Sequence, residues 1–147
     1  MARGDLTVFE EAMAKMLDGN WASTDHFYCA ICDDTASPTA ATATPVLGDF
    51  TEVGDSGTYT TGGTDLGTLD DLVDEDAGVV TIDSDTNPTW AQDGSNDSDA
   101  YWAVVYNYTD AGKDAFFYVD LGGPVDMSAG DLTVTWNASG FVTISKA

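Results

Sequence analysis

Basic residues are scarce in this sequence. Its 147 residues include 26 Asp and Glu but only four Lys and Arg, which gives a formal net charge of −22. The four basic residues are Arg3, Lys15, Lys113 and Lys146. A surface with this charge repels phosphate, which excludes direct nucleic-acid binding and docking on an anionic membrane. Most of the acids are Asp, a residue favoured in turns, so we expect many turns that link short strands.

Long apolar runs are also missing. No run approaches the roughly 18 apolar residues of a transmembrane helix. Glu10, Glu11 and Lys15 fall where a secretory signal needs an uninterrupted apolar core, so we expect no signal peptide and synthesis in the host cytoplasm. The N-glycosylation tripeptide occurs at three places, Asn96, Asn107 and Asn137. Without a signal peptide, we interpret these matches as chance.

Cysteine and histidine are too few for most metal sites. Cys29 and Cys32 have the spacing C-x-x-C, but zinc needs four ligands and His26 is the only histidine. The sequence FYCAIC at residues 27–32 predicts a strand, on which positions i and i+3 face opposite sides. We therefore predict two buried free thiols that act as small apolar residues. A redox or metal role for the pair is the alternative.

The sequence offers little for catalysis. His26 is the only histidine for a nucleophilic triad, and we expect it to bond to nearby backbone where the strand begins. There is no Gly-x-Ser-x-Gly motif and no phosphate-binding glycine loop followed by Lys. A pair of carboxylates carries no information in a chain with 26 acids. We predict that the protein is not an enzyme, with no catalytic residues, no bound metal and no cofactor.

Two Asp-rich segments are candidates for calcium loops. One contains Asp83, Asp85 and Asn87; the other offers oxygens at alternate positions from residue 93 to residue 99. The first departs from the calcium-loop pattern, because Pro88 replaces the required Gly and Gly94 replaces the bidentate Glu. We predict solvated turns. The aromatic residues could line a sugar-binding face, but most fall among aliphatic residues in strands, which favours core packing.

The first element has the spacing of a helix. Apolar residues recur every three or four positions over residues 6–18, and Thr7-x-x-Glu10 matches a capping box. This amphipathic helix is expected to pack on the domain's own core, and docking on a partner subunit is the alternative.

The remaining sequence predicts β-structure. Residues 35–45 form a low-complexity polar segment, which predicts an extended surface loop. Hairpins are expected at residues 109–114 and 137–140, and Gly122 is expected to end a strand. Strands are predicted at residues 27–32, 50–53, 58–61, 66–73, 79–83, 101–108, 115–121, 132–136 and 141–145. The strand at 101–108 has the strongest pattern and is expected to be central. This pattern is typical of a single domain over 1–147, mainly β, built as an antiparallel β-sandwich or barrel-like domain with one N-terminal helix.

Seven short blocks follow one another along the chain. They are GDLTVF at 4–9, AKMLDG at 14–19, YTTGG at 59–63, PTW at 88–90, YWAVVY at 101–106, FYVDLG at 117–122 and GDLTVTWN at 130–137. Together they resemble a family of small virion proteins of tailed bacteriophages, of the kind found as capsid decoration, or cement, proteins. The Cys- and Tyr-rich segment at 27–32 and the stronger acidity depart from that family's pattern.

The resemblance implies a structural protein of the virion. Its expected partner is the major capsid protein on the outer surface of the shell, and its expected oligomeric state is a homotrimer. A −22 subunit would be repelled by DNA inside a capsid but not outside it. The alternatives are a tail-tube, head–tail joining or fibre subunit, and an extracellular calcium-dependent adhesive or sugar-binding module.

Overall fold

The computed structural model describes residues 2–145 and is mainly β. Its helices are α1 (Glu10–Leu17) and α2 (Leu69–Leu72). Its strands are β1 (Leu6–Val8), β2 (His26–Cys32), β3 (Thr64–Thr68), β4 (Val73–Asp76), β5 (Val79–Ile82), β6 (Thr89–Trp90), β7 (Ala100–Asn107), β8 (Ala115–Val125), β9 (Leu132–Thr133) and β10 (Val142–Ser145). All of the strand pairs are antiparallel, so the predicted fold class is confirmed.

A five-stranded sheet forms the centre of the fold, in the order β1-β8-β7-β2-β3. β7 and β8 form the predicted hairpin, and β7 lies in the middle as predicted. β7 is apolar over nearly its whole length, and β8 is mostly apolar from Ala115 to Leu121, because both faces of the sheet are covered there. Strand β8 continues past Gly122 to Val125, contrary to the predicted stop, and a register shift beside Tyr101 absorbs the extra residues.

Each face of the five-stranded sheet carries its own layer. Phe117 on one face contacts the rings of Trp136 and Phe141, with centroids 6.0 and 4.8 Å away. Tyr118 on the other face contacts Phe9, which immediately precedes α1, at 5.1 Å. The C-terminal segment therefore covers one face and the N-terminal helix region covers the other, which gives a sandwich-like core.

A three-stranded sheet, ordered β10-β5-β4, extends from this core. Its register places Val73, Ile82 and Val142 in one cross-strand row, and these side chains pack in or against the core. The next row on the same face contains Glu75, Val80 and Ile144, of which Ile144 is 46% exposed. Half of this small sheet therefore lies beyond the core.

The N-terminal helix is shorter than predicted. Residues Leu6–Val8 form β1, which pairs with β8, and the helix begins only at Glu10. Thr7 therefore caps no helix, and the N-cap residue Phe9 makes no side-chain capping bond. The apolar spacing of residues 6–9 fits a helix and a strand equally, and pairing with β8 decides for the strand.

Several predicted strands are also wrong. Residues 50–53 and 58–61 form no strand, and only Glu52 makes an isolated bridge, to Cys32. The predicted strand at 66–73 is interrupted by α2, whose N-cap Thr68 forms a capping box with Asp71. Residues 134–136 form no strand, and β10 pairs with β5 instead of closing a hairpin at 137–140.

The segment at 35–45 has no helix or strand, as predicted, but it is not an excursion from the surface. Pro38 and Pro45 are buried. The Glu10 backbone N–H donates to the Ala40 carbonyl, and the Thr44 N–H donates to the Glu11 carboxylate. These bonds hold the loop against the start of α1.

Candidate interaction surfaces

Most of the acidic side chains have no cation beside them. The chain has 26 acids, and the ion pairs within residues 2–145 are Lys15–Asp114 and, when His26 is protonated, His26–Asp65. Such a protein associates most readily through surfaces where opposing carboxylates are few.

Two lysines lie near the turn between β7 and β8. The Lys15 ammonium is 2.5 Å from the Asp114 carboxylate, which also accepts a bond from the Trp21 indole N–H. The Lys113 ammonium lies 3.8 Å from the centroid of the Tyr108 ring and donates to the Tyr108 carbonyl. We use the name lysine face for the side chains around this turn and at the nearby end of α1: Lys15, Leu17, Tyr108 and Lys113.

Two of the large apolar side chains that are exposed in the described chain belong to the lysine face. Leu17, at the end of α1, is 78% exposed and Tyr108 is 43% exposed. The Tyr108 ring stacks on Tyr28 at 4.1 Å, so its position is fixed on one side by a tyrosine and on the other by Lys113. Rigid exposed aromatic groups beside an exposed aliphatic group are typical of protein interfaces.

A second candidate surface is built from a segment without carboxylates. Residues 132–145 contain no charged side chain, and the strand β10 at their end forms an outer edge of the three-stranded sheet. The opposite edge of the same sheet, β4, carries Asp74, Glu75 and Asp76, all exposed. We call the outer side of β10, with its exposed Ile144, the β10 edge.

A cleft of about 570 Å³ lies beside the β10 edge. Its walls come from the start of the chain, the end of β8 and the C-terminal segment, and include Arg3, Asp120, Trp136, Phe141 and Thr143. The Trp136 indole N–H donates to the Thr86 carbonyl, so this ring is anchored to its own chain. The cleft is a groove between packed layers, with aromatic rings that belong to the core.

The two candidate calcium loops use side-chain oxygens to accept backbone hydrogen bonds. In the first, the Asn87 side-chain oxygen accepts from the Trp136 N–H and the Asp83 carboxylate accepts from the Ser84 N–H. In the second, Asp93 and Asp97 likewise accept from backbone N–H groups. Residues 2–145 contain no group of three or more His, Cys, Asp or Glu that could hold a metal ion.

Four carboxylates nevertheless lie near one another at the start of β7. Partial desolvation and the neighbouring charges of Asp34, Asp33 and Asp97 raise the pKa of Asp99. The same surroundings raise the pKa of Tyr101, again through desolvation first and then through Asp34 and Asp99. This repulsion is relieved by dissolved cations, which makes the region sensitive to salt.

The prediction for the two cysteines is confirmed. Cys29 and Cys32 are free and buried. Burial raises the pKa of both thiols far above the ordinary value. They are unreactive at neutral pH because the thiolate is the nucleophile.

His26 bonds differently from the prediction. Its Nδ1 lies 3.0 Å from the Asp65 carboxylate on the neighbouring strand, rather than on backbone. Its backbone N–H and carbonyl bond to Thr109 and Tyr108. His26 therefore links β3, through Asp65, to the turn after β7, through its own backbone.

Two asparagines that resemble glycosylation sites instead anchor loops. The buried Asn96 accepts from the Thr58 N–H at 2.8 Å and donates to the Ala91 carbonyl at 2.9 Å. The fully buried Asn107 donates to Asp25 and accepts from the backbone of the following turn. Sequence reasoning missed both roles, and their only sequence signal is Asn beside turn-forming residues.

Glu52 is a further, half-buried anchor. It accepts from the Tyr59 hydroxyl and from the Gly62 N–H, and the Tyr59 oxygen accepts from the Ile31 N–H. Burial raises the pKa of Glu52 despite these bonds. The network fastens residues 52–62 to β2, so it stabilises the fold.

Comparisons with known proteins give no match that bears on the function of this chain. No family model, no curated protein and no solved structure matches this chain. Among the described residues, no helix combines the length and apolar character needed to cross a membrane.

Proposed function

We propose that this protein is a structural component of a tailed-phage virion, a decoration protein that binds the major capsid protein on the outside of the shell and stabilises it. The observation that carries the proposal is the exposure of Leu17, at the end of α1, and of Tyr108, before the β7–β8 turn, in a molecule with a net charge of −22. These exposed apolar side chains are suited to contact protein, and the acidic side chains are suited to face water.

The charge supports an outer rather than an inner location. Packed DNA is a dense array of negative phosphates, and a −22 subunit beside it would be strongly repelled. On the outer surface, water and salt screen the same charges over about 8 Å at physiological ionic strength.

The lysine face supports attachment to another protein. Leu17 and Tyr108 supply apolar area, and Lys113 holds the tyrosine in place through a cation–π contact. Lys15 and Lys113 also reduce the local negative potential, so a partner can approach there against less repulsion. The sequence resemblance to cement proteins indicates which partner, the capsid shell.

The test is reconstitution on shells that lack the protein. Purified protein should bind expanded shells in a fixed copy ratio and raise the temperature at which the shells open. Leu17→Asp should reduce the bound copies at least tenfold, because it places a carboxylate in the apolar contact. Thr135→Asp, which adds the same charge at an exposed position elsewhere, is the matched control and should bind like the wild type.

Three results would contradict the proposal. The first is failure of the wild-type protein to bind expanded shells. The second is equal loss of binding in both variants, which would indicate a general charge effect. The third is assembly of the purified protein into hexameric rings or tubes in negative-stain images, which would favour a tail-tube subunit.

A further inference from the structure

We propose that the β10 edge is a self-association surface, on which β10 of one copy pairs antiparallel with β10 of a second copy. Two three-stranded sheets would join into one sheet of six strands. The inference is independent of the capsid proposal, because it rests on the two edges of the small sheet alone.

The two edges of this sheet differ in their protection. Exposed edge strands tend to pair with other chains, and proteins prevent this with charged residues, Pro or a covering segment. β4 has three carboxylates in its four residues, VDED. β10 has the sequence VTIS, with no charge and no Pro, and three of its four residues are exposed. The unprotected edge is the one we expect to be occupied.

Charge selects this edge for a second copy. Two copies repel each other because each carries −22, so close contact requires a surface without opposing carboxylates. The other outer edge strands of the two larger sheets each have acids in or beside them: Asp5 next to β1, Asp65 in β3 and the three acids of β4. The β10 edge has none within residues 132–145.

The strand is also self-complementary. Val142 and Ile144 point to one face of the sheet, and Thr143 and Ser145 point to the other. A two-fold axis through Thr143 places Val142 opposite Ile144 of the second copy, and an axis through Ile144 pairs the two isoleucines. Both registers match apolar with apolar side chains across the junction. With the axis through Ile144, the row of Val80 and Ile144 continues into the same row of the second copy, with Glu75 at each outer end.

The expected dimer is weak and strengthens with salt. Four-residue strands bury less than the roughly 1,200 Å² of a stable interface, so dissociation constants in the micromolar range are expected. Salt screens the repulsion between the two bodies and favours the dimer. Pairing of β10 with β10 through a two-fold axis gives a dimer, whereas the resemblance to cement proteins implies a trimer. The measured oligomeric state therefore distinguishes the β10 pairing from the expected trimer.

The experiment is sedimentation equilibrium of the full chain from micromolar to millimolar concentration, at 0.15 M and 1 M NaCl. The wild type should show a monomer–dimer equilibrium that shifts to dimer at 1 M. Ile144→Asp should weaken dimerisation at least tenfold, whereas Thr135→Asp adds a carboxylate to the same segment outside β10 and should not. Unchanged melting temperatures would show that both variants fold.

A second variant removes the protecting charges from the other edge strand, β4. Replacing the three β4 acids together, Asp74→Asn, Glu75→Gln and Asp76→Asn, should open a second edge and give species larger than a dimer. The proposal is overturned by a wild type that stays monomeric at 1 M NaCl, by a trimer, or by a dimer that Ile144→Asp leaves intact. It is also overturned if the β4 variant associates no further than the wild type.

Discussion

Added salt should stabilise the folded protein, because folding concentrates negative charge. A sphere with the accessible surface of 7217 Å² has a radius of about 24 Å. Spreading the net charge of −22 over it gives a self-energy of about 10 kcal/mol at 0.15 M salt and about 5 kcal/mol at 1 M. The unfolded chain, with a radius of about 40 Å, loses only about 2–3 kcal/mol of self-energy over the same range.

The folded state therefore gains about 3 kcal/mol relative to the unfolded state between 0.15 M and 1 M NaCl, which corresponds to a rise in Tm of about 6–12 °C. The measurement is thermal unfolding followed by circular dichroism at dilute concentration, where self-association is negligible. The increase should be steepest at low salt and should level off near 1 M, where the Debye length is already about 3 Å.

A charge-reduced variant separates screening from general salting-out. Asp→Asn at six exposed positions changes the net charge from −22 to −16; the positions are Asp18, Asp34, Asp55, Asp70, Asp85 and Asp99. The self-energy depends on the square of the charge, so the Tm increase should fall to about half. A flat or falling wild-type Tm, or an equal increase in both proteins, would refute the reasoning.

Three other predictions concern stability. Gly63→Ala should lower the free energy of unfolding in urea by about 3 kcal/mol or more, because the new Cβ would lie 1.9 Å from the Cys29 carbonyl oxygen. Gly78 also has a positive φ but open space around the new Cβ, so Gly78→Ala should lower this free energy by about 1 kcal/mol. Equal losses in the two variants would contradict this. Glu52 has a raised pKa, so its stabilising contribution is complete below the ordinary pKa of 4.5 and is lost as pH rises through the folded-state pKa. Glu52→Gln should remove that part of the pH dependence of Tm, and an unchanged pH profile would count against the burial argument. The Tm in calcium and in EDTA should agree, and a rise with calcium would restore the metal-binding alternative.

The sequence predicted those parts of the fold that local pattern determines. Strands β2, β7 and β8 are apolar on both faces and were expected from continuous apolar runs. In the C-terminal segment, the predicted alternation is present in the burial of Leu132 and Val134 against the exposed Thr133 and Thr135. The alternation predicts correctly which of these side chains are buried. It predicts strand pairing only in part, because the strand β9 contains only two residues.

Two of the failures involve partners distant in sequence. β1 is only three residues long, and its strand conformation depends on pairing with β8, more than 100 residues away. β10 pairs with β5 across about 60 residues, although the turn residues before it fit a local hairpin equally well. Such pairings are tertiary choices that override local propensity.

The two candidate surfaces could be predicted only in part, for the same reason. Lys15 and Lys113 are 98 positions apart in the chain, and the ion pair of Lys15 with Asp114 brings Lys15 to the turn that carries Lys113. The contrast between β4 and β10 is visible in the letters VDED and VTIS, but its meaning depends on both strands being edges of one sheet.

The negative charge and the exposed apolar groups have a joint consequence. Leu17, Tyr108 and Ile144 would promote aggregation on a neutral protein, and here repulsion between copies opposes it. Salt weakens that repulsion while it stabilises the fold, so the salt that raises Tm also favours association. Aggregation at high salt should therefore begin at native, folded surfaces and should be suppressed by Ile144→Asp without loss of Tm. If aggregates formed only above the Tm, unfolded chains would be responsible, and the exposed groups would have no part in it.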